Sequence, residues 1–175
     1  MEKKRSRARI LVITGPGKGK TTAALGMIVR SLAYGKRILL VRFTKARHSG
    51  ELDIFQAYPQ IAVYSGEYGM TPSLTHPDYP LHVAAARSLF ETAKTEAPGF
   101  DAIFLDEICG VTARGMVDES EVAAFLASLR SDQTAVLTGR GAGLGLLAIA
   151  DTVSDISCVK HGYMRGIDAQ EGVEL

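Results

Sequence analysis

The stretch that decides the fold runs from Ile10 to Thr22 and reads ILVITGPGKGKTT. Residues 10–13 form a continuous apolar run, which is typical of a strand buried on both faces of a parallel sheet. A Gly- and Pro-containing cluster at 14–17 breaks that strand, and the spacing that follows predicts a helix over 20–34 with Gly35 as its C-cap. A Gly-rich turn between a buried strand and a helix is the context in which phosphate loops occur.

The loop from Gly15 to Thr22 supplies the groups that the phosphates of a nucleotide require. Its glycines let successive main-chain N–H groups turn inward and form a nest for an anion, and the start of the helix adds free N–H groups and a positive dipole end. A lysine brings a compact positive charge, and a threonine hydroxyl suits Mg²⁺. We therefore predict ATP binding by Gly15, Gly17, Lys18, Gly19, Lys20, Thr21 and Thr22.

Two further features of the sequence concern the length of this loop and the base of the nucleotide. It is one residue shorter than the usual G-x-x-x-x-G-K-[ST] pattern, because Thr14 stands where that pattern has its first glycine. The chain also lacks the Asn-Lys-x-Asp signal that reads guanine, which favours ATP over GTP.

Short apolar strands alternate with helices along the rest of the chain. Such alternation predicts an α/β fold with a mostly parallel sheet and helices on both faces, as in phosphate-loop NTPases of the RecA-like type. The stretch 65–80 is too long for a simple connection, so it is either mobile or functional. We predict strands at 38–43, 61–64, 102–105, 135–137 and 153–159, and helices at 51–58, 81–96, 119–129 (capped by Asp118) and 144–150.

Length and composition restrict the class of protein. With 175 residues, the chain suits one domain, which we place at residues 10–175 after a basic arm at residues 1–9. A net charge of +1 gives no reason to expect nucleic acid as a partner, and no apolar run is long enough to span a membrane. Two cysteines without a CxxC pair fit a reducing compartment, so we expect a cytoplasmic protein.

A second group of polar residues follows the strand predicted at 102–105. This strand runs into Asp106 and Glu107, and ligands of parallel sheets collect at the carboxyl ends of the strands. In phosphate-loop proteins the strand-end Asp holds Mg²⁺, directly or through water. We therefore predict a metal site made from Thr21, Asp106 and Glu107. Glu107 would either serve the metal or activate a water molecule, and the residues alone leave both roles open.

With these two sites in place, the chain resembles the phosphate-loop corrinoid adenosyltransferases of the cobalamin pathway from about Arg9 to Leu175. Their short loop, G-x-G-K-G-K-T-T-A-A, is met by Gly15 through Ala24. Other matching patterns are V-x-F-x-K at 41–45, G-E-L at 50–52, L-D-E at 105–107, L-T-G-R at 137–140, A-D-x-V at 150–153, and K-H-x-[YF]-x-x-G-I-x-A-Q-x-G-[IV]-E at 160–174.

The resemblance implies a reaction. A cobalt(I) corrinoid attacks the 5′ carbon of ATP, triphosphate leaves, and an adenosyl–cobalt bond forms. Cobalt(I) is itself a strong nucleophile, so catalysis would consist mainly of positioning and of stabilising the charge on the leaving triphosphate. Loop amides, Lys18, Lys20 and a Mg²⁺ ion would supply that stabilisation. The implied catalytic residues are Lys20, Thr21 and Glu107.

The resemblance also implies further contacts and partners. Arg30 and Arg140 match arginines of the family motifs and would bind ATP. A flavoprotein reductase would supply electrons, and the chain would form a homodimer. Members of the family commonly carry G-x-G-F-x-W after the third strand, where this chain has GEYGMTP at 66–72 and no Trp. Tyr68 and Met70 are the residues that would contact the corrinoid here.

Two alternatives stay open at this point. The chain could be a phosphate-loop ATPase or kinase of other specificity, with Glu107 orienting water. It could also be a non-catalytic ATP-binding relative of the enzyme, for which the missing aromatic motif is the only indication.

Overall fold

The computed structural model describes residues 6–44, 49–69 and 72–173, and within these ranges six strands form one sheet. The strand order is β3-β2-β4-β5-β1-β6, and every neighbouring pair is parallel. The predicted parallel α/β architecture is therefore confirmed. The strands are β1 Arg9–Thr14, β2 Ile38–Arg42, β3 Ile61–Ser65, β4 Ala102–Asp106, β5 Thr134–Thr138 and β6 Thr152–Asp155.

Helices cover both faces of this sheet, because its strands are apolar on both sides. On β4, Ile103 and Leu105 join one buried cluster, while Ala102 and Phe104 join the other. The first cluster packs under α3 to α6 and the second under α1 and α2. The helices are α1 Lys20–Leu32, α2 Gly50–Gln56, α3 Tyr79–Glu96, α4 Ile108–Ala113, α5 Glu119–Ser128 and α6 Leu144–Ile149.

The sequence-based prediction missed one helix and made one strand too long. The sequence did not predict α4, which is only six residues long and buries Ile108, Cys109 and Val111, so it shows no polar face that would reveal a helical period. The strand predicted at 153–159 ends at Asp155. It pairs with β1 as far as Thr14, where β1 ends and the predicted phosphate loop begins.

The folded part begins before the boundary that the sequence indicated. Of the residues assigned to a basic arm, Ala8 is buried and Arg9 starts β1. Arg7 is paired with Asp151 at 2.7 Å, and Asp151 also accepts the N–H of Ile10. These bonds attach the start of β1 to the turn before β6.

The start of α5 agrees with the prediction, because Asp118 accepts the N–H of Ser120 at 2.7 Å. None of the helices in the described ranges has the length and apolar character needed to span a bilayer.

Candidate nucleotide-binding site

The predicted phosphate loop lies between β1 and α1, at the carboxyl edge of the sheet. Gly19 immediately precedes α1 and has φ +110°, a backbone conformation that side-chain-bearing residues rarely adopt. That turn lets the helix start at Lys20 and points the first N–H groups of α1 toward the loop.

Gly17 is required for a different reason, which is close packing against the chain after β6. A Cβ at Gly17 would lie 2.5 Å from the carbonyl oxygen of Ser157, and the Gly17 N–H donates to the carbonyl of Ile156 at 2.7 Å. Gly15 is similarly close to Ile156 and to Asp155. The segment 155–157 therefore supports the outer side of the loop.

Lys20 lies inside this loop and is only 6% exposed. Its ammonium group donates to the carbonyls of Gly15 at 2.9 Å and Gly17 at 2.6 Å. Burial is the main cause that lowers the pKa of Lys20, and the positive charge of Arg140 lowers it further. Three carboxylates, those of Glu107, Asp155 and Asp106, oppose this shift.

Asp106 joins three elements of the site through one carboxylate oxygen. Thr21 of α1 donates to its Oδ1 at 2.9 Å, and Thr138 at the end of β5 donates to the same oxygen at 2.6 Å. Thr138 also accepts the N–H of Glu107 at 2.9 Å. Because β5 lies between β1 and β4, this buried threonine links the two acidic residues to the strand beside the phosphate loop.

Glu107 has an unusual backbone. Its φ is +67°, the one positive value among the non-glycine residues that the structure describes. This conformation costs on the order of 1–2 kcal/mol for a residue with a side chain. It turns the chain from β4 into α4 and leaves the carboxylate near enough to Lys20 to oppose the lowering of the pKa of that lysine.

The oxygens of Thr21, Asp106 and Glu107 fit Mg²⁺, which prefers hydroxyl and carboxylate ligands. The described ranges contain no group of three or more His, Cys, Asp or Glu residues arranged to hold a metal.

The remaining residues predicted to bind ATP are not all brought together. Lys18 donates to the carbonyl of Val173 at 2.8 Å, so the C-terminal tail reaches the loop. Thr22 is exposed in the first turn of α1, and Arg140 follows β5 within electrostatic range of Lys20. Arg30 is exposed and lies ten residues after Lys20 in α1, about 15 Å along the axis. The structure does not place Arg30 at the phosphate loop.

The residues predicted to contact a corrinoid belong to the other side of Asp106. Tyr68 follows β3, and its ring lies 4.8 Å from that of His82 in α3. The N–H of Gly66 donates to the carbonyl of Arg42 at 2.9 Å, which fixes the start of this segment to β2. Met70 lies outside the described residues.

Sequence reasoning missed two residues of this site, Thr138 and Asp155. Both end strands, and both stand within or next to patterns that were recognised, L-T-G-R at 137–140 and A-D-x-V at 150–153. Their polar side chains at strand ends were the available signal. The strand order decides which strand-end side chains lie near the predicted phosphate loop, and the sequence does not reveal that order.

Cys109 lies close to Glu107, but its thiol is not activated. Burial, and to a smaller extent the charge of Glu107, raise the pKa of its thiol to about 12. The thiol therefore stays protonated near neutral pH and does not act as a nucleophile.

Comparison with known proteins places this geometry in a family. Residues 6–175 match the model of ATP:corrinoid adenosyltransferase BtuR/CobO/CobP. The chain is 35% identical to the corrinoid adenosyltransferase of Pseudomonas aeruginosa over 174 residues, which is 97% of this chain and 84% of that protein. It is 33% identical to the corrinoid adenosyltransferase of Escherichia coli K12 over 172 residues, or 96% and 86% of the two chains.

The fold has a more distant match among solved structures. The KaiC-like protein PH0186 of Pyrococcus horikoshii OT3 superposes with a TM-score of 0.50 at 15% identity. The match covers 86% of this chain and 71% of that one. At this identity, the likeness concerns the fold alone.

Proposed function

The chain belongs to the ATP:corrinoid adenosyltransferase family, and we propose that it transfers the 5′-deoxyadenosyl group of ATP to the cobalt of a cob(I) corrinoid in cobalamin biosynthesis or salvage. The C5′–O bond of ATP breaks, the cobalt supplies the electron pair for the new Co–C bond, and triphosphate leaves. The observation that carries this proposal is the connection of the phosphate loop to the acidic strand end, through the bonds of Thr21 and Thr138 to Asp106.

The role of the loop follows from the charge that develops on the leaving triphosphate. Main-chain N–H groups at the start of α1 and the ammonium of Lys20 are fixed before the reaction, so they stabilise that charge without reorganising. Lys20 is held inside the loop by two carbonyls, which keeps its charge at one position. The chain needs no nucleophile of its own, in agreement with the neutral thiol of Cys109.

Mg²⁺ belongs to the proposal as a partner of the triphosphate. Thr21 and the carboxylates of Asp106 and Glu107 would hold it, and it would add positive charge next to the phosphate oxygens. Glu107 then serves the metal, and its role as a water-activating base is the weaker alternative because the reaction consumes no water.

The proposed corrinoid-binding side rests on fewer contacts than the phosphate-binding side. Tyr68, supported by His82, offers an aromatic face for the corrinoid, and the sequence adds Met70 as a second contact. The charge of Arg140 acts on Lys20 and lowers its pKa, which supports a role for this arginine near the phosphates. Arg30 lies too far from the loop to bind phosphates held there. If it contacts a nucleotide, it contacts the adenosine part or a nucleotide bound to a second copy of the chain. We further propose a cytoplasmic homodimer that receives electrons from a flavoprotein reductase.

A product assay tests the proposal. The protein is incubated with ATP, Mg²⁺ and a chemically reduced cob(I) corrinoid, and triphosphate and the light-sensitive adenosylcorrinoid are quantified together. We expect the two products in equal amounts. ADP and phosphate formed without corrinoid would support an ATPase instead, and ATP binding without any turnover would support a non-catalytic relative.

A further inference from the structure

Arg42 is the last residue of β2 and lies beside the acidic strand end. Its Cα pairs in register with that of Asp106 on β4, about 4.8 Å away across one strand spacing. Two residues earlier on each strand, Leu40 and Phe104 belong to the same buried cluster, the one that α1 covers. Side chains two residues apart share a face of a sheet. Arg42 and Asp106 therefore point to the face that carries the phosphate-loop helix.

The guanidinium of Arg42 is buried without the partners that its charge requires. The residue is 2% exposed. Nη2 donates to the hydroxyl of Ser49 at 3.0 Å, and it lies 3.9 Å from a carboxylate oxygen of Glu51. Nε and Nη1, which together carry three N–H groups, have no hydrogen-bond partner in the described part of the chain. Burying such donors and their charge unsatisfied is costly, so the arrangement calls for an anion with several acceptor oxygens.

The predicted phosphate site offers a place for such an anion. Asp106 bonds to Thr21, and Thr21 directly follows Lys20, the lysine that the loop surrounds. A polyphosphate held at these residues would lie one strand away from Arg42. The planar guanidinium offers several N–H groups to phosphate oxygens, whereas lysine acts as a point charge. The two cations would therefore hold a phosphate chain from two sides.

We propose that Arg42 is a phosphate-binding residue that contacts the triphosphate of ATP, and of the product, from the side of β2. This inference rests on the proposed function only in taking ATP as the bound nucleotide, and it does not depend on the corrinoid. Residue 42 is the variable position in the family pattern V-x-F-x-K, so the inference concerns this chain and not every member of the family.

The test is calorimetric titration of Arg42→Gln with Mg·ATP and, separately, with inorganic tripolyphosphate, both without corrinoid. Loss of charged hydrogen bonds should raise the Kd of both ligands about 10- to 100-fold. Arg42→Lys keeps the charge but not the planar group, and should give an intermediate Kd. The matched control is Arg37→Gln, which removes the same charge just before the other end of β2, where Arg37 pairs with Asp101. Its Kd values should equal those of the wild type.

Each other result has a defined meaning. Arg42→Gln should melt at the same temperature as the wild type or higher, because an unsatisfied buried charge is removed. If Arg42→Gln does not fold, the titration is made with Arg42→Lys, which should bind tripolyphosphate several-fold more weakly than the wild type. Unchanged tripolyphosphate binding in a folded variant would overturn the inference. So would a change confined to the binding of a carboxylate-bearing corrinoid, measured by its visible absorbance. A wild type that binds neither ATP nor tripolyphosphate would instead refute the nucleotide site itself.

Discussion

The two halves of the carboxyl edge of the sheet are built differently. On the side of β1 and β5, the phosphate loop, Asp106 and Thr138 are joined by short hydrogen bonds and supported by the segment after β6. On the side of β3, the described residues contribute the Gly66 bond to Arg42 and the Tyr68–His82 pair. The difference indicates that the proposed triphosphate half is held by side-chain hydrogen bonds before substrates arrive, whereas the described contacts of the acceptor half are a main-chain bond and an aromatic pair.

The largest expected effect is on the preorganised half. Replacing Lys20 by Ala removes the buried ammonium group that would meet the phosphates, and we expect adenosyl transfer to fall on the order of 10²- to 10³-fold. The rate of adenosylcorrinoid formation at saturating corrinoid measures this. Lys36→Ala, just past the far end of α1, is the control and should keep full activity. A Lys20→Ala protein with wild-type activity would show that the loop is not the phosphate site.

A smaller effect is expected when the link between the two acidic residues is removed. Thr138→Val keeps the shape of the side chain but leaves the Glu107 N–H and Asp106 without the hydroxyl, so we expect kcat to fall about 10-fold with little change in the KM for ATP. Thr134→Val makes the same substitution at the opposite end of β5 and should leave kcat unchanged. Equal loss of activity in both variants would show that the substitutions disturb β5 as a whole and not the hydrogen bonds of Thr138 in particular.

On the acceptor side, Tyr68→Ala should raise the KM for the corrinoid about 10-fold and leave ATP affinity unchanged, because the aromatic contact area is lost there alone. Steady-state kinetics with each substrate varied in turn separate the two constants. Tyr34→Ala, at an exposed tyrosine beyond the end of α1, controls for the loss of an aromatic ring. A rise in the KM for ATP instead would mean that the two halves are not separate.

The smallest effect is expected far from both halves, at the other end of β2. The Asp101 carboxylate accepts the N–H of Arg37 at 2.9 Å, and this bond, together with the Arg37 side chain, lowers the pKa of Asp101 below its ordinary value of 3.8. The folded state therefore gains stability above that value and loses it as the pH falls through the lower folded pKa. Asp101→Asn should lower the free energy of unfolding by about 1 kcal/mol or less at neutral pH.

Urea denaturation of this variant and of the wild type, followed from neutral to acidic pH, checks the last prediction. The two stability curves should converge in acid. Activity should be the same for both proteins at neutral pH, since Asp101 lies at the amino end of β4. A difference in stability that grows as the pH falls would contradict the assigned sign.

Most of the phosphate half could be predicted because its chemistry is local. Gly15 to Thr22 are consecutive, and the strand before them and the helix after them show their own apolar patterns, so neighbouring residues carried the information. The acidic pair was predictable for the same reason, since Asp106 and Glu107 directly follow an apolar strand. The family resemblance, carried by ordered motifs, was confirmed by the comparisons.

What the residues could not reveal depends on contacts between distant segments. Thr138 reaches Asp106 only because β5 is inserted between β1 and β4, and Asp155 reaches Gly15 only because β6 pairs beside β1. Arg42 looks like an ordinary polar residue at the end of a strand until the sheet places it beside Asp106 and buries it. Local backbone preferences and apolar periodicity are properties of neighbours in the chain, whereas strand order and burial arise from packing across the whole domain. The sequence alone therefore predicts the phosphate-binding chemistry, and the three-dimensional packing selects which other side chains lie beside the residues predicted to provide it.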